Sequence, residues 1–441
     1  MNTSEGLKRE IGLWGITANI INVVIGSGIF VLPALVSEGL GSAGILAYLF
    51  CGLLVTLIML CFAEMGSKVT ITGGAYTYIE VAFGKYFGFL ASNLLVFGTS
   101  LMATAAVANA LADTLSYIFP IFKETYFRAG FFITIFSGLA VVNVYGVKQG
   151  ISLVKMVTIA KLLPLFLLIV WGSTNIVFNN LLWDKAPAIS DIGRMSILLF
   201  FAFQGAESSL SVGGEVSNPK KSIPRGILLS FLIILIIYIS IQLVSQGILG
   251  DSFSSYKSAP LVEVARRIMG PVGTTIMMMG AAISMFGYLT SDQLNMSRVL
   301  FRSAKDKVIP IKPLSIVHPK FATPYVAIIV FAALGCFFSI TGEFKQLAIL
   351  SSSSVLLVYL GVALSTIKLR FEKDIDKSTF RVPGGFTIPI LAIITILWFL
   401  SNLSKNEMIG LAVFIVILSF LFGLIKYFRL DNQGVENKPI N

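Results

Sequence analysis

The segment IGLWGITANIINVVIGSGIFVLPALV at residues 11–36 decides the fold class of this chain. It contains no charged side chain and is longer than the roughly 20 residues that an α-helix needs to cross a bilayer. Its centre reads Ile25-Gly26-Ser27-Gly28, and glycine is among the weakest helix formers. We therefore predict a membrane-spanning helix that is interrupted in its middle.

Apolar segments of this kind recur along the whole chain of 441 residues, of which 56% are hydrophobic and 12% charged. The mean hydropathy is +0.87, whereas about a quarter of a soluble domain is charged. Runs of spanning length lie at residues 11–36, 43–63, 86–112, 129–147, 150–174, 193–214, 226–250, 271–297, 321–342, 346–367, 382–404 and 408–425. The sequence thus predicts an all-α polytopic membrane protein with twelve transmembrane helices. A soluble enzyme, a disordered chain and a secreted disulfide scaffold are excluded.

The net charge of +11 is distributed as in a membrane protein. Most of the 33 Lys and Arg residues fall in segments predicted to share a side with residues 1–10. Because cytoplasmic loops are rich in Lys and Arg, we predict that the tails 1–10 and 426–441 both lie in the cytoplasm, beside the cell membrane. The lipid bilayer therefore explains the basic charge, and no nucleic-acid partner is expected. Three glutamates at cytoplasmic ends of spans or in loops are expected to pair with Lys or Arg: Glu64, Glu80 and Glu215.

Cysteine and histidine are scarce. The three cysteines all lie inside apolar runs, and the one histidine, His318, lies in a basic loop. These residues are too few and too scattered for a disulfide framework, a metal centre or a Ser-His-Asp set. We expect no cofactor, no metal and no enzymatic activity.

A second interruption is predicted at residues 204–207 (QGAE), five spans after the first. An odd number of spans per repeat places two copies in opposite orientations, and matched broken helices in inverted repeats mark a mid-membrane binding site. The alternative is that the glycines only allow helices to pack closely. The predicted organisation is a tail at 1–10, inverted repeats at 11–174 and 193–367, two further helices at 382–425 and a tail at 426–441.

A broken helix suits a zwitterionic ligand. The freed N–H groups that begin its second half attract a carboxylate, assisted by the positive end of the helix dipole. The freed carbonyl groups that end its first half can accept hydrogen bonds from an ammonium group. Such backbone is tolerated in a membrane only where it is buried or lines a cavity. The two breaks therefore predict a site for a small molecule that carries both charges.

Five motifs follow one another along the chain: NVVIGSGIF at 22–30, GGAYTYIEVAFG at 73–84, TIAKLLPL at 158–165, FFAFQGAESSLSVGGEVSNPKKSIP at 200–224 and SRVLFRSAKDKVIP at 297–310. Together they resemble the amino acid–polyamine–organocation (APC) superfamily of transporters over nearly the whole chain. The resemblance implies a LeuT-like fold of five-plus-five inverted helices with two added at the C-terminus. It also implies that backbone at the first break meets the substrate carboxylate and that carbonyls at both breaks meet the amino group. The candidate substrate site comprises Val24, Ile25, Gly26, Ser27, Gly28, Phe201, Gln204, Gly205 and Asp292.

The same resemblance implies three gating or coupling residues. Phe201 corresponds to an aromatic residue that closes over the substrate in arginine–agmatine antiporters, and Glu207 to a Glu linked there to pH-dependent gating. Lys161 stands where sodium-coupled relatives bind a sodium ion, as in L-amino-acid transporters, which implies sodium-independent transport. A charged Lys in mid-span costs about 2.5–3.5 kcal/mol on insertion scales. The alternative is that Lys161 snorkels to the cytoplasmic interface.

Asp292 belongs to a polar stripe in the span at 271–297. Ser284, Tyr288, Asp292 and Asn295 follow one another at helical spacing and share one face. Polar residues within a span face the bundle interior or water. Three roles stay open for Asp292: contact with a cationic or small polar substrate side chain, proton transport, or a place in a hydrated cytoplasmic vestibule.

The sequence therefore predicts a secondary active amino acid transporter that works by alternating access, as a proton symporter or as an exchanger, independently of sodium. Two alternatives stay open: a polyamine or amine carrier, and a non-transporting amino acid receptor with the same fold. The sequence leaves open which amino acid is carried, the direction of net flux and the oligomeric state.

Overall fold

The computed structural model is built from helices throughout the residues it describes. It describes residues 12–69, 74–145, 151–183, 185–209, 219–305, 309, 311–371, 380–382 and 384–436. The helices are α1 (Leu13–Val24), α2 (Gly28–Leu40), α3 (Ile45–Lys68), α4 (Ala75–Phe83), α5 (Lys85–Asn93), α6 (Leu101–Ser116), α7 (Thr125–Tyr145), α8 (Ile151–Ser173), α9 (Ile189–Leu199), α10 (Ala206–Ser209), α11 (Pro219–Leu249), α12 (Pro260–Lys305), α13 (Tyr325–Thr341), α14 (Phe344–Phe371), α15 (Thr387–Ser401) and α16 (Lys405–Glu436). These ranges contain no β-strand, and the predicted all-α class is confirmed.

Several of these helices can cross a membrane. In the described ranges seven helical segments are long and apolar enough: Gly28–Lys68, Lys85–Ser116, Thr125–Tyr145, Lys221–Ser255, Pro260–Lys305, Phe344–Phe371 and Lys405–Tyr427. Four shorter apolar helices accompany them: Leu13–Val24, Ala160–Ser173, Tyr325–Thr341 and Thr387–Ser401. The predicted span at 193–214 runs past the described residues at 210, and the total of twelve stays a prediction.

The ends of the chain bear on the predicted tails. Residues 1–11 and 437–441 lie outside the described residues. Helix α16 continues to Glu436, so that most of the segment predicted as a C-terminal tail extends the last helix. The cytoplasmic location of both tails stays a prediction.

Helix α6 lies at the centre of the bundle. Nearly every side chain from Leu101 to Ser116 is buried, because the many Ala, Ser and Thr residues let neighbouring helices approach closely. The preceding turn, Leu94–Ser100, is π-helical. A methyl group added at Gly98 in this turn would lie 2.7 Å from Ser354 Cβ, so that only glycine permits this contact with α14.

One end of the bundle is held by a buried cluster of charges around Glu64. The Glu64 carboxylate pairs with Lys68 Nζ at 2.8 Å and accepts hydrogen bonds from Arg370 Nε at 2.8 Å and the Val382 amide at 2.9 Å. The cluster joins α3, α14 and the segment before α15. The ion pairing predicted for Glu64 is confirmed. Among the described residues Glu80 forms no ion pair, and Glu215 lies outside them.

Candidate functional site

The first predicted interruption is present in the structure. Helix α1 ends at Val24, and Ile25 has a non-helical ψ of 86°. The Gly26 amide donates to the Val24 carbonyl at 2.8 Å. Helix α2 starts again at Gly28, and its first amides, like those of any helix, have no intrahelical acceptor. Among the described residues none of the amides of residues 27–29 has a hydrogen-bond acceptor, which leaves them open to an anion.

The second interruption has a different geometry. A 3₁₀ turn, Phe200–Phe203, ends at Gln204, whose ψ of 163° is extended. Gly205 follows with a φ of +106°, a value that residues with a Cβ rarely adopt. Helix α10 then begins at Ala206. Glycine is therefore required at position 205 by the backbone itself.

The two interruptions are in direct contact. A methyl group added at Gly28 would lie 2.8 Å from both Cα and Cβ of Ala202, so that α2 approaches the second break as closely as two backbones can. The Tyr238 hydroxyl of α11 lies 2.9 Å from the Ala202 carbonyl and 3.3 Å from the Val24 carbonyl. The backbone groups freed by both breaks therefore surround one place in the bundle.

Gln204 is held by the serines of α14. Its Nε2 donates to Ser352 Oγ at 2.9 Å, and its Oε1 accepts from Ser351 Oγ at 3.0 Å. Ser351 also lies 2.9 Å from the carbonyl of Thr99 in the π-helical turn. The side-chain amide of Gln204 is thus held by α14 through both its nitrogen and its oxygen.

Lys161 of α8 reaches the first break. Its ammonium group donates to the carbonyl of Asn22, and only 7% of the side chain is exposed. In an unbroken helix this carbonyl would accept from the Gly26 amide, which here binds Val24 instead. The break therefore frees the acceptor that Lys161 uses, and the ammonium lies against α1.

Asp292 of α12 faces α6. Its Oδ2 accepts hydrogen bonds from Ser100 Oγ at 2.6 Å and from the Thr104 hydroxyl. Its Oδ1 has no hydrogen bond among the described residues, and the side chain is partly exposed. The other residues of the polar stripe differ in solvent exposure: Ser284 is buried, Tyr288 is partly exposed and Asn295 is exposed. One carboxylate oxygen is thus fixed while the other is accessible.

Glu207 lies just after the second break and has neutral partners. Its Oε2 accepts from the hydroxyl of Tyr359 on α14 and from the Gly205 amide at 3.1 Å. None of the ion pairs formed by the described residues includes Glu207 or Asp292. Both carboxylates are therefore compensated by dipoles and not by a cation.

Phe201 packs against a residue that lines a charged cavity. Its ring meets that of Phe344 edge-on, with 5.7 Å between centroids, and 8% of the residue is exposed. Phe344 also lines a cavity of about 620 Å³, within which Lys257 pairs with Glu38 at 2.6 Å. The cavity carries charges of both signs on Glu38, Asp113, Lys123, Arg128, Lys257, Glu343 and Lys345. Phe201, which belongs to the turn before Gln204, is thus in ring contact with the lining of this charged cavity.

Several of these contacts were not predicted from the sequence, namely those of Tyr238, Ser100, Thr104, Tyr359 and the α14 serines. The serine run at 351–354 is a visible signal, because four hydroxyls in a row are unusual in an apolar span. Nothing in the sequence distinguishes Tyr238 from other tyrosines of the spans. In the part of the chain that the structure describes, no three His, Cys, Asp or Glu side chains gather as metal ligands would.

The structure thus defines a helical membrane protein in which two helices are interrupted and the two breaks are in contact. The family model for amino acid permeases matches residues 11–425. The chain belongs to this amino acid permease family, and it is therefore a multi-pass transmembrane permease of the APC superfamily.

Three relatives illustrate what this chain is similar to. The serine/threonine exchanger SteT of Bacillus subtilis is 29% identical over 405 residues, which cover 89% of this chain and 91% of the relative. The branched-chain amino acid permease BcaP of the same organism is 25% identical over 97% of this chain and 94% of its own. The large neutral amino acids transporter small subunit 2 of Oryctolagus cuniculus is 28% identical, over 73% of this chain and 62% of its own.

Proposed function

We propose that this protein is a secondary active transporter of amino acids that works by alternating access in the cell membrane. The observation that carries the proposal is the contact between the two breaks, which gathers open amides and carbonyls around one place. Relatives described as a serine/threonine exchanger and a branched-chain amino acid permease support amino acids as the substrate class. The proposal includes twelve transmembrane helices, a LeuT-like pair of inverted repeats at 11–174 and 193–367, and cytoplasmic termini.

The α-carboxylate is proposed to bind the amides of Ser27 and Gly28. These amides begin α2 and have no acceptor in the described chain, and a helix N-terminus favours negative charge. A methyl group added at Gly26 would find nothing nearer than the Val24 carbonyl at 3.9 Å. The space beside Gly26 is thus open, as a substrate position requires. Ile25 is proposed to line the same space.

The α-ammonium is proposed to bind backbone carbonyls at Phe201 and Gln204, beside Gly205. The Val24 carbonyl, also predicted for this role, already accepts from the Gly26 amide at 2.8 Å and faces Tyr238. An ammonium group has three donors and a carbonyl oxygen has two lone pairs. Val24 is therefore the weakest of the three proposed acceptors.

Lys161 is proposed to take the place of a coupling sodium ion. Its ammonium group donates to the Asn22 carbonyl that the first break frees, as a bound cation would contact it. An ammonium group held there can replace a bound sodium ion, and we propose that transport is sodium-independent. Coupling then falls to protons or to a counter-transported amino acid.

Asp292 and Glu207 are proposed to set side-chain preference and proton coupling. Each is a carboxylate with hydroxyl or amide partners and, within the described ranges, without a cation, an arrangement that lets a proton or a cationic ligand compensate the charge. Asp292 presents a free oxygen beside Ser100, where a substrate hydroxyl or ammonium can donate. Phe201 is proposed to close over the bound substrate, on the side of the charged cavity that Phe344 lines.

Counterflow in proteoliposomes tests the proposal. Vesicles loaded with unlabelled L-serine or L-leucine should accumulate the labelled amino acid transiently above equilibrium. Ethanolamine and isoamylamine, the decarboxylated analogues, should not compete, because they lack the group that binds Ser27 and Gly28. A channel would equilibrate the label without an overshoot, and a receptor would show no uptake. Absence of counterflow with all twenty amino acids, or competition by the amines alone, would refute the proposal.

A further inference from the structure

We infer that Tyr238 is a positioning residue that holds the two breaks together, and that substrate affinity depends on its hydroxyl. The inference rests on the proposed function, since it concerns the geometry of the proposed substrate site. Tyr238 is not expected to touch the substrate. It acts through the backbone of α1 and of the turn before Gln204.

The hydroxyl of Tyr238 meets equivalent points of the two broken helices. It lies 2.9 Å from the carbonyl of Ala202 and 3.3 Å from that of Val24. Val24 is the last residue of α1, and Ala202 belongs to the last turn before the second break. A phenol has one proton to donate, so that the two carbonyls share it. Moving either half-helix therefore changes the hydrogen bonding of the other.

The ring of Tyr238 is fixed by its surroundings. It is fully buried and packs edge-on against Phe203, with 5.1 Å between centroids, and against Tyr48 at 6.5 Å. Helix α11 is itself anchored along α1, where Ser230 Oγ lies 3.2 Å from the Thr17 carbonyl. The hydroxyl is thus presented from an anchored helix to the backbone at the two breaks.

Tyr48 of α3 is a matched control. It is equally buried, and its ring contacts that of Tyr238. Its hydroxyl, however, donates to the Gln242 side chain at 3.2 Å and contacts neither break. Tyr48→Phe therefore removes a buried hydroxyl from the same cluster without affecting the proposed substrate site.

The experiment compares wild type, Tyr238→Phe and Tyr48→Phe in the counterflow assay with L-[³H]serine and L-[³H]leucine. We expect Tyr238→Phe to raise the KM of the transported amino acid about tenfold or more, equivalent to about 1.4 kcal/mol. Tyr48→Phe should leave KM within twofold of wild type, with a comparable change in Tm. A purely structural role would alter Tm and yield in both variants and leave KM unchanged.

The following outcomes decide between the inference and its alternatives. A KM for Tyr238→Phe within twofold of wild type, or an equal rise in Tyr48→Phe, would overturn the inference. Partial misfolding does not obscure the result, because KM is independent of the amount of active protein. If folded Tyr238→Phe shows no counterflow, its Tm in the presence of the amino acid decides: a lost shift supports the inference, and a wild-type shift contradicts it. Absence of counterflow in the wild type would instead refute the proposed function.

Discussion

Gly26 and Gly28, two residues apart in the first break, should respond in opposite ways to the same added methyl group. At Gly28 the methyl would lie 2.8 Å from Cα and Cβ of Ala202 and 3.3 Å from its amide nitrogen. At Gly26 it would meet nothing nearer than the Val24 carbonyl at 3.9 Å. Gly26→Ala and Gly28→Ala therefore form a matched pair in which packing and ligand binding can be separated.

The expected magnitudes follow from these distances. The atoms opposed to Gly28 are backbone and Cβ, which no rotamer change can move, and overpacking of this kind costs about 1–3 kcal/mol. Gly26 lies outside the helices and its φ is not positive, so that alanine is unstrained there. A compatible Gly→Ala change stabilises by roughly 0.4–1 kcal/mol through the unfolded chain. Gly28→Ala should lower Tm, and Gly26→Ala should leave Tm unchanged or raise it slightly.

Gly26→Ala should impair transport although it does not lower stability. Its methyl group enters the space proposed for the substrate, and we expect the KM in counterflow to rise at least tenfold, about 1.4 kcal/mol, in a protein of undiminished stability. The assays are thermal unfolding in detergent and counterflow in proteoliposomes. If Gly26→Ala transports with the wild-type KM, the space beside Gly26 is not the substrate site. If Gly28→Ala is as stable as wild type, Gly28 and Ala202 are not packed as closely as these distances indicate.

Three further predictions concern charged residues. Uptake by the wild type should be unchanged when choline replaces sodium, and Lys161→Ala should lose most uptake; sodium-dependent wild-type uptake would contradict this. Asp292→Asn should change the ranking of substrates or the pH dependence of uptake, and a variant that keeps both would place Asp292 outside the site. Arg370→Ala should lower stability by about 1.5–3 kcal/mol, the range for hydrogen bonds to a charged group, because Glu64 loses the guanidinium but keeps Lys68; a Tm within two degrees of wild type would exclude that role for the pair.

The helix breaks could be predicted from the sequence because their cause is local. Glycines at 26 and 28, and again at 205, weaken a helix wherever it packs, and the apolar flanks identify the spans. The all-α class follows in the same way from the density of apolar runs. The pairing of Glu64 with Lys68 was also accessible, since residues four apart lie on one face of a helix.

The partners across the bundle could not be predicted, because they depend on which helices meet. Ser100 and Asp292 are 192 residues apart, and Tyr238 is separated by 214 residues from Val24. Periodicity identifies the face on which a side chain lies but not the helix opposite it. The Val24 carbonyl, predicted to meet the substrate ammonium, illustrates this, because its contact with Tyr238 could not be read from the sequence around it.

Charged residues near the helix breaks and charged residues near the helix ends have different kinds of partner. Lys161 faces a carbonyl, and Asp292 and Glu207 face hydroxyls and an amide. The ion pairs of the described residues lie away from the breaks, as in Glu64–Arg370 and Lys257–Glu38. Breaking a desolvated pair by removing one partner is costly, whereas a charge held by dipoles can accept a proton or a ligand in place of one hydrogen bond. We therefore expect substrate and protons to act at the centre, while the ion pairs hold the helix ends.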